Sequence, residues 1–129
     1  DTGGAGRTRG GLSTRKDVRV LVDGVVLTNL TDRLKFPPYG LAGGCPGSLG
    51  AIVLNPGRPG ERPLESKGVY TLGAGDVVSF RCAGSGGFGP PKERPRELVA
   101  LDVAEGYVSV EAARTLYDYE PEGERLAGR

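Results

Sequence analysis

Alternating apolar and polar positions predict short β-strands over the first two thirds of the chain. Valines alternate with other residues over 15–22, and an apolar run follows at 25–30. Between these segments stands Asp23-Gly24, a pair typical of tight hairpin turns, whose central residues need positive φ. Two further apolar runs, 69–72 and 76–82, flank a glycine-containing turn. The pattern therefore predicts two β-hairpins, each formed by neighbouring strands.

The pattern changes after residue 91, where helical spacing replaces alternation. Pro95 suits a helix start, and Gly106 suits a helix end. Ser109 precedes a second helical segment, 110–117, and is a favourable N-cap because its hydroxyl accepts a bond from a free backbone N–H. We therefore expect two short helices at the C-terminal end.

Glycine and proline set the architecture that these elements can form. The 129 residues include 23 Gly and 10 Pro, which stand mostly between the predicted strands rather than inside them. We therefore expect a mainly β fold: a Gly-rich β-sandwich or barrel-like domain of five to seven short antiparallel strands, followed by the two helices. The expected division is a β-rich domain at 1–91 and a two-helix segment with a loose, acidic tail at 92–129.

Charge and length exclude two classes of partner. The net charge is +1, with a small basic excess near the start and an acidic excess near the end. A nucleic-acid-binding domain shows a strongly basic face with aromatic side chains, and the aromatic content here is 6%. No apolar run reaches the ~18 residues that a membrane span needs. The sequence therefore predicts no nucleic-acid and no membrane partner. Because it lacks Met and opens at Asp1, we expect a processed chain, a subunit or a piece of a larger polypeptide.

Candidate catalytic chemistry is sparse. The chain has no His, which removes the usual neutral-pH base and the commonest metal ligand. Two cysteines, Cys45 and Cys82, do not make a zinc site. The run Gly84–Gly89 matches G-x-G-x-x-G, but Pro90-Pro91 follows where a dinucleotide site needs a helix N-terminus. We therefore predict no catalytic residue, no metal ligand and no nucleotide site, and interpret the run as a turn that another backbone approaches closely.

Acidic residues on the first predicted helix have the same plain interpretation. Asp102 and Glu105 are spaced to share a helix face, and such pairs are mostly solvent-facing.

Four charged residues in loops are candidates for a ligand clamp. Arg7 and Arg9 lie in the first Gly-rich loop, and Asp32 and Arg33 precede a proline pair. Arginine in such a loop can hold a carboxylate or phosphate through two parallel hydrogen bonds. The alternative is that these residues pair locally and hold the loop ends together.

A series of segments follows in order along residues 1–117: Asp1-Thr-Gly-Gly-Ala-Gly-Arg-Thr-Arg-Gly-Gly; Asp32-Arg33 leading into Phe36-Pro37-Pro38-Tyr39-Gly40-Leu41; Leu54-Asn55-Pro56; Leu72 with Gly75-Asp76-Val77; Gly84-Ser-Gly-Gly-Phe-Gly-Pro-Pro-Lys-Glu-Arg-Pro-Arg-Glu-Leu-Val; and Gly106-Tyr-Val-Ser-Val-Glu-Ala-Ala-Arg. In order and spacing they resemble the C-terminal region of the hydantoinase B/oxoprolinase family. That family includes N-methylhydantoinase B-type subunits and is related to acetone and acetophenone carboxylase subunits.

The resemblance implies a function for the intact enzyme and a supporting role for this chain. The chain would be the C-terminal part or a small subunit of an ATP-dependent hydantoinase/oxoprolinase-type enzyme that hydrolyses hydantoin or lactam bonds, and would not be catalytic alone. The implied partners are the N-terminal part of a B-type subunit and an A-type ATP-binding subunit, in a cytoplasmic hetero-oligomer. ATP and a divalent metal are implied for the intact enzyme, with neither bound by this chain.

The glycine content of 84–89 suggests a role for that run in such an enzyme, and two alternatives to this enzyme stay open. Gly84, Gly86, Gly87 and Gly89 are candidates for a flexible loop that closes the active site of the intact enzyme. One alternative is that the chain is part of an ATP-dependent acetone/acetophenone-type carboxylase. Another is a free-standing, non-catalytic β assembly module.

Overall fold

The computed structural model describes residues 1–121 as antiparallel strands followed by helices, which confirms the predicted fold class. The elements, in chain order, are β1 (Arg15–Arg19), β2 (Val25–Leu30), β3 (Ala51–Leu54), β4 (Arg62–Pro63), β5 (Lys67–Leu72), β6 (Val77–Arg81), a 3₁₀ turn (Pro91–Glu93), α1 (Arg96–Ala104) and α2 (Val110–Tyr117). No helix within these described residues is long and apolar enough to cross a bilayer.

The strands form two layers that enclose an apolar core. The main sheet has the order β1-β6-β3-β4, and β2 and β5 form a separate two-stranded ribbon. Leu27 of β2 and Tyr70 of β5 point from the ribbon onto the core. The buried core residues are Val20, Ile52, Leu54, Leu64, Leu72 and Val78. Burial of this aliphatic set holds the ribbon on the main sheet.

Both hairpin predictions are wrong, because each strand pairs with a distant partner. β1 pairs with β6, and β2 pairs with β5. The last β1–β6 partners are Arg19 and Val77, and the first β2–β5 partners are Val25 and Leu72. The two ladders therefore continue one another as a single long antiparallel pair, bent between residues 20–24 on one side and 73–76 on the other.

Hydrogen bonds across the bend explain why the Asp-Gly turn does not close a hairpin. The Gly75 N–H donates to the Val20 carbonyl, and the Val20 N–H donates to the Asp76 carbonyl, both at 2.8 Å. The Ala74 N–H donates to Asp23 Oδ1, also at 2.8 Å. The two turns thus bind each other. The bend folds the apolar side of the ribbon onto the main sheet, which two local hairpins would not achieve.

Asp76 anchors one side of this bend and gives it a pH dependence. Its carboxylate accepts hydrogen bonds from Asn55 Nδ2 and from the Gly73 N–H, both at 2.8 Å. The bond from Asn55, followed by that from Gly73, lowers the pKa of Asp76 below its ordinary 3.8. A carboxyl group whose pKa is lower in the folded than in the unfolded state stabilises the fold at pH values above its unfolded-state pKa. This stabilisation is lost as the pH falls through the folded-state pKa.

We therefore expect Asp76→Asn to reduce the acid sensitivity of the fold. Urea unfolding of the wild type and the variant at neutral pH and at about pH 3 measures this. The variant should be less stable than the wild type at neutral pH, and the gap should narrow on acidification. An equal loss of stability on acidification in both proteins would contradict the assignment.

Three Gly-rich segments extend the main sheet as a bundle of packed backbones. These segments, 2–14, 38–50 and 82–89, adjoin β1, β3 and β6, and together they are called the glycine bundle here. Every pair of segments is hydrogen-bonded: the Gly4 N–H donates to Ser85 O at 2.8 Å, the Gly87 N–H to Cys45 O at 2.9 Å, and the Cys45 N–H to Ala5 O at 2.7 Å. The segments therefore form ordered structure where the composition predicts loops.

Glycine is required in the bundle because the backbones nearly touch. A Cβ added at Gly10 would overlap the carbonyl oxygen of Ser85, and one at Gly87 would overlap that of Ala5. No L-residue with a side chain avoids such an overlap without moving a main chain.

The helices pack against one side of the glycine bundle. α2 begins where predicted, with Ser109 Oγ accepting from the Ala112 N–H at 3.1 Å. Their shared apolar cluster consists of Ala5, Val99, Val108, Ala113 and Tyr117. Most of the predicted loose tail, 122–129, lies outside the described residues. The division into a β-rich domain and a helical segment stays a prediction.

Candidate functional site

A cavity lies beside the loop that follows β2. Its volume is about 370 Å³, and its lining residues are Thr31, Asp32, Arg33, Leu34, Lys35, Phe36 and Ser66. A second cavity of about 230 Å³ shares Leu34, Lys35 and Ser66 with it, and Ile52 and Leu64 lie along this second part. The two form one groove, between loop 31–36 and the connection from β4 to β5.

Hydrogen bonds to neighbouring segments hold the groove loop in place. Buried Asn29 donates from Nδ2 to the Glu65 carbonyl at 2.6 Å and accepts from the Thr31 hydroxyl at 2.6 Å. The Thr31 N–H donates to the Ser66 carbonyl at 2.7 Å. Arg33 has a φ of 64°, and its carbonyl accepts from the Gly50 N–H at 3.0 Å. A non-glycine residue with this φ is held there by its surroundings.

The groove combines charges of both signs with apolar surface. Asp32, Arg33 and Lys35 stand on its exposed rim, and Phe36 adds an exposed aromatic ring. Clefts of this size take small ligands or peptide segments, and paired cationic side chains recognise carboxylates. The structure thus places two of the four clamp candidates, Asp32 and Arg33, on one groove.

Arg9 lies elsewhere, in a buried ion-pair cluster. Asp102 Oδ2 accepts a hydrogen bond from Arg9 Nε at 3.1 Å and forms an ion pair with Arg94 Nη2 at 2.9 Å. The side chains are 6%, 15% and 10% exposed for Asp102, Arg9 and Arg94. Arg9 also donates to the Gly10 carbonyl at 2.9 Å, and its guanidinium faces the Tyr107 ring at 5.4 Å. The cluster ties α1 to the first segment of the glycine bundle.

Tyr117 of α2 lies close to the same charges. Its hydroxyl is buried, lies near the Gly6 backbone and makes no hydrogen bond of normal geometry within residues 1–121. Burial raises the pKa of Tyr117, and the positive charge of Arg94 opposes that rise. The cluster of two arginines and one aspartate carries one net positive charge in a nearly dry environment, so it depends strongly on Asp102.

Two interpretations from the sequence need correction here. Asp102 is buried and paired, not solvent-facing, and it shares the inner face of α1 with Val99. Leu98 and Leu101 are exposed instead. Arg9 does not hold the ends of its own loop, because its charged partner stands 93 positions away.

Arg7, the remaining clamp candidate, is on the surface. It pairs with Glu93 at 3.7 Å, both side chains being more than half exposed, and it lies 5.9 Å from the Phe88 ring. The structure therefore distributes the four candidates over three places: the groove, the buried cluster and the surface.

Five of the six main-chain N–H groups of Gly84–Gly89 donate to carbonyls of other backbone segments. Those of Gly84, Ser85, Gly87, Phe88 and Gly89 donate to the carbonyls of Ser48, Gly11, Cys45, Thr8 and Leu41, in that order. A phosphate cradle needs such groups pointing free at a ligand, so this run does not fit a nucleotide. The close backbone approach expected from the sequence is what the structure has. The flexible-loop role of Gly84, Gly86, Gly87 and Gly89 stays a prediction.

Within residues 1–121, no three His, Cys, Asp or Glu side chains lie close enough together to hold a metal ion.

Arg94 is the member of the buried ion-pair cluster that the sequence does not single out. The signal that can find it is indirect: an acid at position 102 lies between apolar neighbours on a helix, and such an acid needs a cationic partner when buried.

Comparison with known proteins identifies the lineage of the chain. The family model described as hydantoinase B/oxoprolinase matches residues 1–91. An uncharacterized protein of Methanocaldococcus jannaschii is 37% identical over 114 residues, which are 88% of this chain and 20% of that protein. The caprolactamase subunit beta of Pseudomonas jessenii is 31% identical over 121 residues, 91% of this chain and 21% of that subunit. The chain thus spans about one fifth of these relatives.

Solved structures agree with the sequence relatives. The crystal structure of the ATP-dependent caprolactamase from Pseudomonas jessenii superposes with a TM-score of 0.70 at 29% identity, covering 96% of this chain and 22% of the other. A nucleotide-free acetone carboxylase structure gives a TM-score of 0.68 at 19% identity, covering 90% and 20%. The second likeness shows a shared fold.

Proposed function

The chain belongs to the hydantoinase B/oxoprolinase family, and from this premise we propose that it works as the C-terminal part or a small subunit of an ATP-dependent enzyme that hydrolyses cyclic amides. The observation that carries the proposal is the likeness to the caprolactamase, in sequence at 31% identity and in structure at a TM-score of 0.70. Caprolactam is a cyclic amide, the bond class found in hydantoins and lactams.

The role of this chain in that enzyme is structural. Its polar side chains with buried atoms serve the fold: Asp102 holds two arginines, Asn29 holds the groove loop, and Asn55 holds Asp76 at the bend. ATP binds in an A-type subunit, in keeping with the family. Five of the six N–H groups of the Gly84–Gly89 run are engaged within the fold, so the run does not form a phosphate cradle. The divalent metal belongs to the N-terminal part of the B-type subunit. The assembly is a cytoplasmic hetero-oligomer.

The groove has a place in this role. Its mixed charges and exposed Phe36 suit a polypeptide segment of the partner rather than a small substrate, since aromatic and arginine side chains are enriched where proteins meet. Asp32 and Arg33 are then clamps for a partner segment.

The experiment is reconstitution of the whole enzyme with and without this chain. The B-type remainder, the A-type subunit and this chain are combined with ATP and 5-oxoproline, hydantoin or caprolactam, and ring opening and ADP are measured. We expect turnover only in the complete mixture. Turnover by this chain alone would overturn the proposal, and so would full activity without it.

A carboxylase is the second candidate, favoured by the shared fold with acetone carboxylase. The same reconstituted enzyme, supplied with bicarbonate and either acetone or acetophenone, separates the two reactions. Formation of a carboxylated product without ring opening would favour the carboxylase.

If neither the B-type remainder nor the A-type subunit binds this chain, the chain is an independent assembly module.

A further inference from the structure

The outer face of the ribbon carries three exposed aliphatic side chains and packs against no other element within residues 1–121. Alternation along β2 turns Val26, Thr28 and Leu30 outward, and the register places Thr71, Val69 and Lys67 opposite them, in that order. Val26, Leu30 and Val69 are 62%, 77% and 68% exposed. An antiparallel sheet that faces water normally carries polar residues on that side. Lys67 is the single charged residue among these six positions.

The edges of the ribbon are as open as its face. Among the described residues β2 and β5 pair with one another and with no third strand. Natural proteins protect such edges with proline, inward charges or a covering element. Neither strand contains a proline, and a two-stranded ribbon has little stability of its own. Leu21 and Val22, which precede β2 at the bend, are exposed as well.

We infer that this face, defined by Val26, Leu30 and Val69 and called the ribbon face, packs against the remaining part of a hydantoinase B-type subunit. The inference rests on the proposed function. The relatives that match about nine tenths of this chain are about five times longer. In each of them the matching region is therefore joined to a much larger remainder, with one copy of each per polypeptide. The family match, 1–91, includes both ribbon strands.

The aliphatic composition of the ribbon face favours a permanent contact with the B-type remainder over a contact with a subunit that can dissociate. Permanent interfaces resemble a domain core cut in half and are more hydrophobic than interfaces that form and separate. The ribbon face consists of aliphatic side chains with two threonines and one lysine beside them, whereas the groove carries charges of both signs. We therefore assign the ribbon face to the B-type remainder.

The test uses three surface substitutions that keep the strand geometry. Val26→Thr, Leu30→Thr and Val69→Thr together replace aliphatic side chains by a β-branched polar one. The matched control, Thr28→Val with Thr71→Val, changes the same face of the same strands in the apolar direction. The probe is the Pseudomonas jessenii caprolactamase subunit beta lacking the region that this chain matches. The readout is the affinity of this probe for the 129-residue chain, measured for the wild type, the triple variant and the control.

We expect the triple variant to bind the probe about tenfold more weakly or worse, with the far-UV circular dichroism of the wild type, and the control to bind at least as well as the wild type. Equal binding by wild type and triple variant would overturn the inference and leave the proposed function standing. The inference would also be overturned if the wild type associated with itself, or bound the other caprolactamase subunit, through a contact that the triple variant loses. Absence of binding by the wild type would overturn both.

Discussion

Asp102→Ala is expected to lower the free energy of unfolding by about 3–5 kcal/mol, because it leaves two arginines buried without a counter-charge. Arg9 and Arg94 both form ion pairs with Asp102 Oδ2, and none of the three side chains is more than 15% exposed. Removing the carboxylate leaves two positive charges close together in a region with little water. Urea unfolding monitored by circular dichroism measures the loss.

The control is an arginine–carboxylate ion pair at the surface. Arg7 and Glu93 lie 3.7 Å apart with both side chains more than half exposed. Exposed pairs contribute about 0–1 kcal/mol, so Glu93→Ala should change stability very little. A similar decrease in the free energy of unfolding for Asp102→Ala and Glu93→Ala would contradict the prediction that the buried cluster contributes more to stability than the surface pair.

A combined variant separates the charge from the packing. Replacing Arg9 and Arg94 by Met and Asp102 by Leu removes all three charges and keeps most of the volume. Buried ionic groups replaced together by apolar ones often give a protein as stable as the original. We therefore expect this variant to regain most of the stability that Asp102→Ala loses.

The second large effect is expected in the glycine bundle, where neighbouring glycines behave differently. A Cβ at Gly10 would overlap the Ser85 carbonyl oxygen, whereas one at Gly11 would lie 3.5 Å from Ser85 Oγ, an ordinary contact. Gly10→Ala forces two backbones apart and breaks bonds between segments, a loss on the order of 4 kcal/mol or more. Such a loss approaches the whole stability of a small domain.

Gly11→Ala is the control at the next position along the same segment. It meets no backbone atom, and alanine lowers the entropy of the unfolded chain, so its stability should stay within about 1 kcal/mol of the wild type. Soluble yield and thermal unfolding of the two variants give the comparison. If Gly10→Ala folded with the melting temperature of Gly11→Ala, the backbone contact would not be tight.

The strands and helices were accessible from the sequence, but the pairing of the strands was not. Alternation at 15–22 and 25–30 indicates strands correctly, and Ser109 marks the start of α2. The Asp23-Gly24 signal describes only local turn preference. It carries no information on the distant residues 73–76, whose hydrogen bonds turn the expected hairpin into a bend.

The glycine bundle and the buried cluster escaped prediction for different reasons. Glycine has no side chain, so segments such as 2–14 show no apolar period that would reveal their packing. Asp102 follows a helical pattern in which acids are normally exposed, and its partners Arg9 and Arg94 are close only in the folded chain. Charged residues before a proline pair indicate an exposed loop, and the loop with Asp32 and Arg33 does border the groove. The role of these two residues as clamps stays a prediction.

The glycine bundle also limits how this region can diversify. Proteins usually adapt an interior by exchanging one side chain for another of different size, and an interior made of main-chain atoms offers no such exchange. Positions such as Gly10, Gly84 and Gly87 accept only one amino acid without displacing a neighbouring strand of backbone. Changes in this region must therefore come from the outer residues or from altered segment lengths at the ends of the bundle.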